Sequence, residues 1–102
     1  MLKYTLTKKE PCAEYDGITI EGEFLTMIDT ESCICTLKKK GFNVNRINGD
    51  ALILAQQENV GIYIYEYRKF IISKIKDKKV AEIIINDIIC ASEKQMSIFR
   101  GG

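Results

Sequence analysis

Three tyrosines alternate with other residues in one short stretch of the chain: Tyr63, Tyr65 and Tyr67. Alternation with a period of two predicts a β-strand that directs the three rings to one face and Ile62 and Ile64 to the other. Aromatic rings on a sheet face are typical of protein interfaces and of platforms on which bases stack. The alternative is structural, with the first strand, the carboxyl-terminal segment or a second copy covering the rings.

Basic residues follow the tyrosines directly. The segment 68–79 contains a single acidic residue, Asp77, and six basic ones: Arg68, Lys69, Lys74, Lys76, Lys78 and Lys79. Neighbouring aromatic and basic residues are the pattern of nucleic-acid-binding surfaces. The net charge of +1 argues against a protein built on phosphate attraction, and lysines also solvate loops and protect sheet edges. The candidate binding surface therefore consists of Tyr63, Tyr65, Tyr67, Arg68 and Lys69.

The four cysteines are Cys12, Cys33, Cys35 and Cys90. Their spacing matches no zinc pattern, and the chain has no histidine, so we expect no metal site. We interpret them as reduced thiols that behave as small, buried apolar residues. Cys33 lies near the amino end of a predicted helix, where the helix dipole would lower its pKa, so a reactive thiol is the alternative.

Other catalytic patterns are absent from the sequence. There is no glycine-rich phosphate loop and no nucleophile elbow, and the carboxylates form no pair at helical spacing. We therefore expect no catalytic residues, no cofactor and no enzymatic activity.

The composition is that of one globular domain. The 102 residues are 46% hydrophobic and 28% charged, with a single proline, and the core is expected over residues 18–92. No signal peptide and no apolar run long enough to cross a bilayer is visible, so we expect a cytoplasmic protein that contacts no membrane.

The amino-terminal half predicts two strands and a helix. The first strand alternates from Leu2 and ends at residues 8–11, and the second covers residues 17–28, with its better part at 24–28. Gly22 is a candidate bulge or bend in the second strand. The helix covers residues 30–40, with Asp29 as its amino-terminal cap and Gly41 beyond its end.

The carboxyl-terminal half predicts four short strands at residues 42–47, 51–55, 60–67 and 70–75, joined by short turns. A second helix follows over residues 78–92, capped by Asp77 and apolar enough to be buried on more than one side. The last residues, 95–102, add a strand or fray, within a tail, residues 93–102, that is expected to be flexible. The predicted fold is α+β, a curved antiparallel sheet with two helices packed on one face. They bury Ile62, Ile64, Ile84 and Ile88.

This order of strand, helix, four strands and helix resembles one repeat of the TATA-box-binding-protein-like fold. The local likeness lies in the segments at residues 51–54, 61–65, 69–72 and 76–79. In that family the concave sheet face binds the DNA minor groove and paired phenylalanines wedge base steps apart. This chain has one repeat, with Tyr63 or Tyr65 in place of one wedge and Gly49-Asp50 near the other. The resemblance thus implies a fold rather than DNA bending.

The last three residues, Arg100-Gly101-Gly102, resemble the tail of ubiquitin-like modifiers and sulfur carriers. That resemblance implies a flexible carboxyl end available for adenylation.

Three functions remain open at the level of sequence. The first is a non-catalytic protein-interaction module that self-associates, or binds another protein, through the aromatic sheet face. The second is a small nucleic-acid-binding protein that uses the same residues, and the third is a modifier or sulfur carrier. Salt dependence separates the first two, because phosphate contacts release counterions.

Overall fold

The computed structural model describes residues 3–11, 17–49, 51–66 and 68–101, with side chains up to residue 95. These ranges contain eight elements: β1 (Tyr4–Pro11), β2 (Ile18–Phe24), α1 (Thr30–Lys39), β3 (Asn43–Ile47), β4 (Leu52–Gln57), β5 (Val60–Tyr65), β6 (Lys69–Ile75) and α2 (Lys78–Gly101). No helix in this part of the chain is long and apolar enough to cross a membrane.

The six strands form one antiparallel sheet in the order β1-β2-β6-β5-β4-β3. Strands β3 to β6 are a meander, since each pairs with the next along the chain. Strand β2 pairs with β6, and β1 folds back on β2, so β1 and β3 are the two edges. The sheet is curved and open, which confirms the predicted α+β class.

Both helices lie on the same face of the sheet. Helix α1 packs beside α2 and over β3, while α2 packs over β6 and β2. The core between the layers contains the four predicted isoleucines, none more than 6% exposed: Ile62, Ile64, Ile84 and Ile88. Burial of this apolar area is the main source of stability.

Helix α1 begins and ends as predicted. The Asp29 carboxylate accepts hydrogen bonds from the backbone N–H of Ser32 at 2.9 Å and from its hydroxyl at 2.7 Å. The Asp29 N–H donates to the buried hydroxyl of Ser92 on α2 at 3.0 Å, so the cap also joins the two helices. Gly41 follows the helix at φ 94°, a left-handed conformation that glycine adopts without strain.

The first strand ends within the predicted range, at Pro11, and the second strand differs from the prediction. Strand β1 continues to Pro11 because it is an edge strand, where a missing N–H removes no ladder bond. Strand β2 ends at Phe24, so the expectation that residues 24–28 form its better part is wrong. Its partner β6 begins only at Lys69, which leaves the residues beyond Phe24 without a strand to pair with.

Gly22 is explained by close packing. A Cβ atom at this position would clash with the Thr5 carbonyl oxygen and with the ring of Phe70. The irregularity expected at Gly22 lies in its partner strand, where the register shifts between Leu6 and Lys8.

Four non-glycine residues have a left-handed backbone among those described: Asn48 (φ 52°), Glu58 (φ 53°), Glu66 (φ 52°) and Lys74 (φ 59°). Asn48 and Gly49, at φ 61°, form the turn that the Asn-Gly signal predicts. Glu58 and Glu66 occupy the next two turns, and Lys74 lies at the register shift near the end of β6, opposite the β2 shift.

Helix α2 is capped by Asp77, which accepts from the N–H of Val80 at 3.0 Å. The prediction that α2 is buried on more than one side is wrong, because Val80 (37% exposed) and Ile83 (57% exposed) face away from the sheet. The expectation of a strand in the tail is also wrong, because α2 continues through Gly101. Residues 93–96 are good helix formers and extend it.

The Asp29 cap yields a stability test. Asp29→Ala removes the acceptor for both Ser32 donors, and we expect it to lower the free energy of unfolding by about 1–2 kcal/mol. Asp29→Asn keeps a side-chain oxygen there and should cost only a few tenths of a kcal/mol. Urea denaturation monitored by circular dichroism measures both. Equal losses in the two variants would contradict the capping role.

Candidate protein-interaction surface

The sheet face opposite the helices, hereafter the open face, is covered by no helix or strand within the described ranges. Alternate residues of each strand point towards it, as the burial pattern of β5 illustrates. Ile62 and Ile64 are 1% exposed on the helix side, whereas Tyr63 is half-buried and Tyr65 is 38% exposed on the open face.

Apolar side chains form two rows across neighbouring strands of the open face. In the first row, Tyr63 is directly opposite Leu54 on one side and Ile71 on the other. In the second row, Tyr65 lies between Leu52 and Lys69, and Leu52 is opposite Ile47. The apolar members form the apolar patch: Ile47, Leu52, Leu54, Tyr63, Tyr65 and Ile71.

The ring of Tyr63 lies back over Gly61. A Cβ atom on Gly61 would be 3.2 Å from the Tyr63 hydroxyl oxygen and 3.2 Å from its ring. This contact replaces the side chain that glycine lacks and holds the ring on the sheet. Tyr63 is therefore a fixed part of the surface, and Tyr65 is its more accessible aromatic residue.

The predicted contact residues separate into three groups. Tyr63, Tyr65 and Lys69 lie together on the open face, because Tyr65 and Lys69 are paired across β5 and β6. Arg68 is exposed in the turn between these strands, where its N–H donates to the Tyr65 carbonyl at 3.0 Å and its carbonyl accepts from the Phe24 N–H at 2.7 Å. Tyr67 lies outside the described residues.

Sequence reasoning missed the aliphatic half of the patch. Leu52, Leu54 and Ile71 alternate with buried residues, as the tyrosines do, but alternation alone does not show which strands are neighbours. The pairing of β4 and β6 on either side of β5 brings them against the rings.

Charges of both signs occupy the other side of the open face. Lys8 lies 3.2 Å from Glu10 and 3.8 Å from Glu21, and its hydrogen bond to Glu10 raises the pKa of its ammonium group. Glu23 is paired with Lys69 across β2 and β6. A depression of about 420 Å³ between Tyr65, Lys69, Ile71, Glu21 and Glu23 joins this charged region to the apolar patch.

The described cysteines give no support for a reactive thiol at Cys33. Cys33 is fully buried, and burial, with a smaller effect from the charge of Asp29, raises the pKa of its thiol to about 12. This shift opposes the activation that a helix terminus would give. Cys35 and Cys90 are exposed, so the prediction that the cysteines are buried is wrong for both, because they face away from the sheet. Cys12 lies outside the described residues.

Other ligand chemistry is not favoured in the part of the chain that the structure describes. It contains no group of three or more cysteine, aspartate or glutamate side chains placed to hold a metal ion. At the carboxyl end, Arg100 and Gly101 are helical, unlike the flexible tail that a modifier resemblance implies, and Gly102 lies outside the described residues.

Comparison with known proteins gives no match: no family model, no curated protein and no solved structure is similar to this chain. The resemblance to a TATA-box-binding-protein repeat therefore stays a prediction. The order from β2 to α2 is the strand, helix, four strands and helix on which it was based.

The Cys33 thiol predicts an alkaline limit to stability. The unfolded chain releases the Cys33 thiol proton near pH 9 and the folded chain near pH 12. The stability that the buried, protonated thiol contributes is therefore fully present below pH 9 and is lost as pH rises through 12. Urea denaturation at pH 8 and pH 10.5 should show a fall in stability that is smaller in Cys33→Ala. Cys35→Ala is the exposed control and should match the unmodified protein. An equal pH dependence in all three proteins would contradict a buried, neutral thiol.

Proposed function

We propose that the protein is a non-catalytic interaction module, acting in the cytoplasm, that associates with a second copy of itself through the open face of its sheet. The observation that carries the proposal is the apolar patch on β3, β4, β5 and β6, over which none of the described helices or strands lies. Contiguous exposed apolar and aromatic residues are typical of interaction sites, and tyrosine gives a large contact area at low entropic cost.

The charges of the open face favour a second copy as the partner. Lys8 and Lys69 lie among Glu10, Glu21 and Glu23, so each copy presents both signs beside its apolar patch. Two such faces related by a two-fold axis bury apolar residues against each other and leave the charges at the rim. A polyanion would instead meet three carboxylates on this face.

Tyr65 provides the test. We expect native mass spectrometry and size-exclusion chromatography with light scattering to detect self-association. Tyr65→Ala should weaken it about tenfold, because an aromatic side chain in an interface contributes about 1–2 kcal/mol or more.

Ile83→Ala is the matched control. It removes an exposed apolar side chain from α2, on the helix side of the molecule, and should leave self-association unchanged. A monomeric wild-type protein, or equal effects of the two substitutions, would contradict self-association through the open face.

Nucleic-acid binding is the second candidate, and the pairing of Tyr65 with Lys69 supports it. It predicts that Lys74→Glu combined with Lys76→Glu weakens binding to single-stranded DNA and reduces its salt dependence. Self-association through the open face should survive this double substitution. Fluorescence anisotropy with a labelled oligonucleotide at several salt concentrations measures the effect. Unchanged DNA binding in the double variant, or no binding by the wild-type protein, would contradict this candidate.

A further inference from the structure

The two edges of the sheet differ in how well they are protected from pairing. Edge strands expose unpaired N–H and C=O groups, and proteins block them with lysine, proline, bulges or short strands. Strand β1 carries Lys8, Lys9 and Pro11 and a register shift after Leu6. Strand β3 contains no lysine and no proline, and its pairing with β4 runs through five residues without a shift. Only its short length limits pairing at β3.

The β3 edge is also accessible. A depression of about 740 Å³ runs along it and is lined from the helix side by Lys38, Phe42 and Val44 and from the open face by Asn43 and Asn45. Arg46, the one charged residue of the strand, forms an ion pair with Glu31 of α1 at 2.9 Å. A strand that pairs with β3 would therefore lie beside Arg46 while the charge of Arg46 is balanced by Glu31.

Helix α1 carries opposite charges at its two ends above this edge. Glu31 binds Arg46 near the end of β3, and Lys38 lines the depression near the start of β3, so α1 runs antiparallel to the strand. The two residues are seven positions apart, which places them on one side of the helix at about 10 Å separation along its axis. This side of α1 is acidic at one end and basic at the other.

We propose that a second copy of the chain pairs with β3 through its own β3, antiparallel and centred on Asn45. A two-fold axis perpendicular to the sheet keeps each residue on its own face, so Asn45 lies opposite its counterpart, Asn43 opposite Ile47 and Val44 opposite Arg46. This register overlaps all five residues and places no like charges directly opposite each other.

The same axis aligns the two α1 helices antiparallel. Glu31 of each copy then lies towards Lys38 of the other, so the charges over the edge are complementary. All four helices remain on one side, and the open faces become one surface of twelve strands, six from each copy. The apolar patches, which begin at Ile47 on β3, lie on either side of the asparagines at the axis.

This edge contact uses a different surface from the face contact of the proposed function, and either contact alone gives a dimer. Together they give four chains with dihedral symmetry if the two axes intersect at right angles. The two contacts are therefore tested with separate substitutions.

Asn45 is the test position because the two-fold axis places Asn45 of one copy opposite Asn45 of the other. Asn45→Lys and Asn45→Glu each place like charges opposite each other, and each should weaken edge dimerisation about fivefold. An equimolar mixture should form a heterodimer at least as stable as the wild-type dimer. Native mass spectrometry resolves the three species when one variant is uniformly labelled with a heavy nitrogen isotope, because the lysine and glutamate residues themselves are nearly equal in mass.

Asn59→Lys is the matched control, since it adds the same charge in the exposed turn after β4 and should leave dimerisation unchanged. Preferred heterodimer formation in the mixture supports the edge contact. Statistical mixing, a wild-type monomer, or a dimer that withstands both Asn45 variants but is lost in Tyr65→Ala would overturn it. The last result would leave contact through the open face as the mode of association.

Discussion

Both helices cover the same face of the six-stranded sheet, and this arrangement organises the rest of the structure. The covered face is occupied by isoleucine, phenylalanine and small residues that are almost fully excluded from solvent. The opposite face has the same backbone but no layer above it within the described ranges. Its side chains are therefore either polar, as on β1 and β2, or partly exposed apolar residues, as on β4 and β5.

The helix layer is fixed by polar contacts as well as by apolar packing. Ser92 is fully buried on α2, and its hydroxyl accepts from the Asp29 N–H at the start of α1. Lys40 at the other end of α1 forms an ion pair with Asp87 of α2 at 2.5 Å. The helices are thus joined near both ends of α1, and α1 is held over β3. This placement puts Glu31 and Lys38 of α1 beside the β3 edge.

Periodicity and capping signals predicted the elements well. Asp29, Asp77 and Gly41 act through their nearest backbone groups, so their roles are visible in a short window of sequence. The end of β2 was not predictable in this way, because it depends on where β6 begins, more than forty residues later. The exposure of Ile83 likewise depends on how far the sheet extends beneath α2, which the apolar pattern of one helix does not state.

The same distinction applies to the candidate surface. Alternation placed Tyr63 and Tyr65 on one face, but it gave no reason to join them to Leu54 and Ile71, which are neighbours only through strand order. Gly61 is a further case, because its lack of a side chain makes room for a ring two residues away in the same strand. Local sequence does not report such a contact.

The unequal edges have a consequence for assembly at high concentration. A sheet with two exposed edges can add strands at both ends and grow without limit, as in fibrils. Here Pro11, Lys8, Lys9 and the register shift of β1 oppose strand pairing at one edge of each sheet. Pairing of β3 with β3 uses the less protected edge of both copies. Strand addition therefore ends at two chains and does not continue into a fibril.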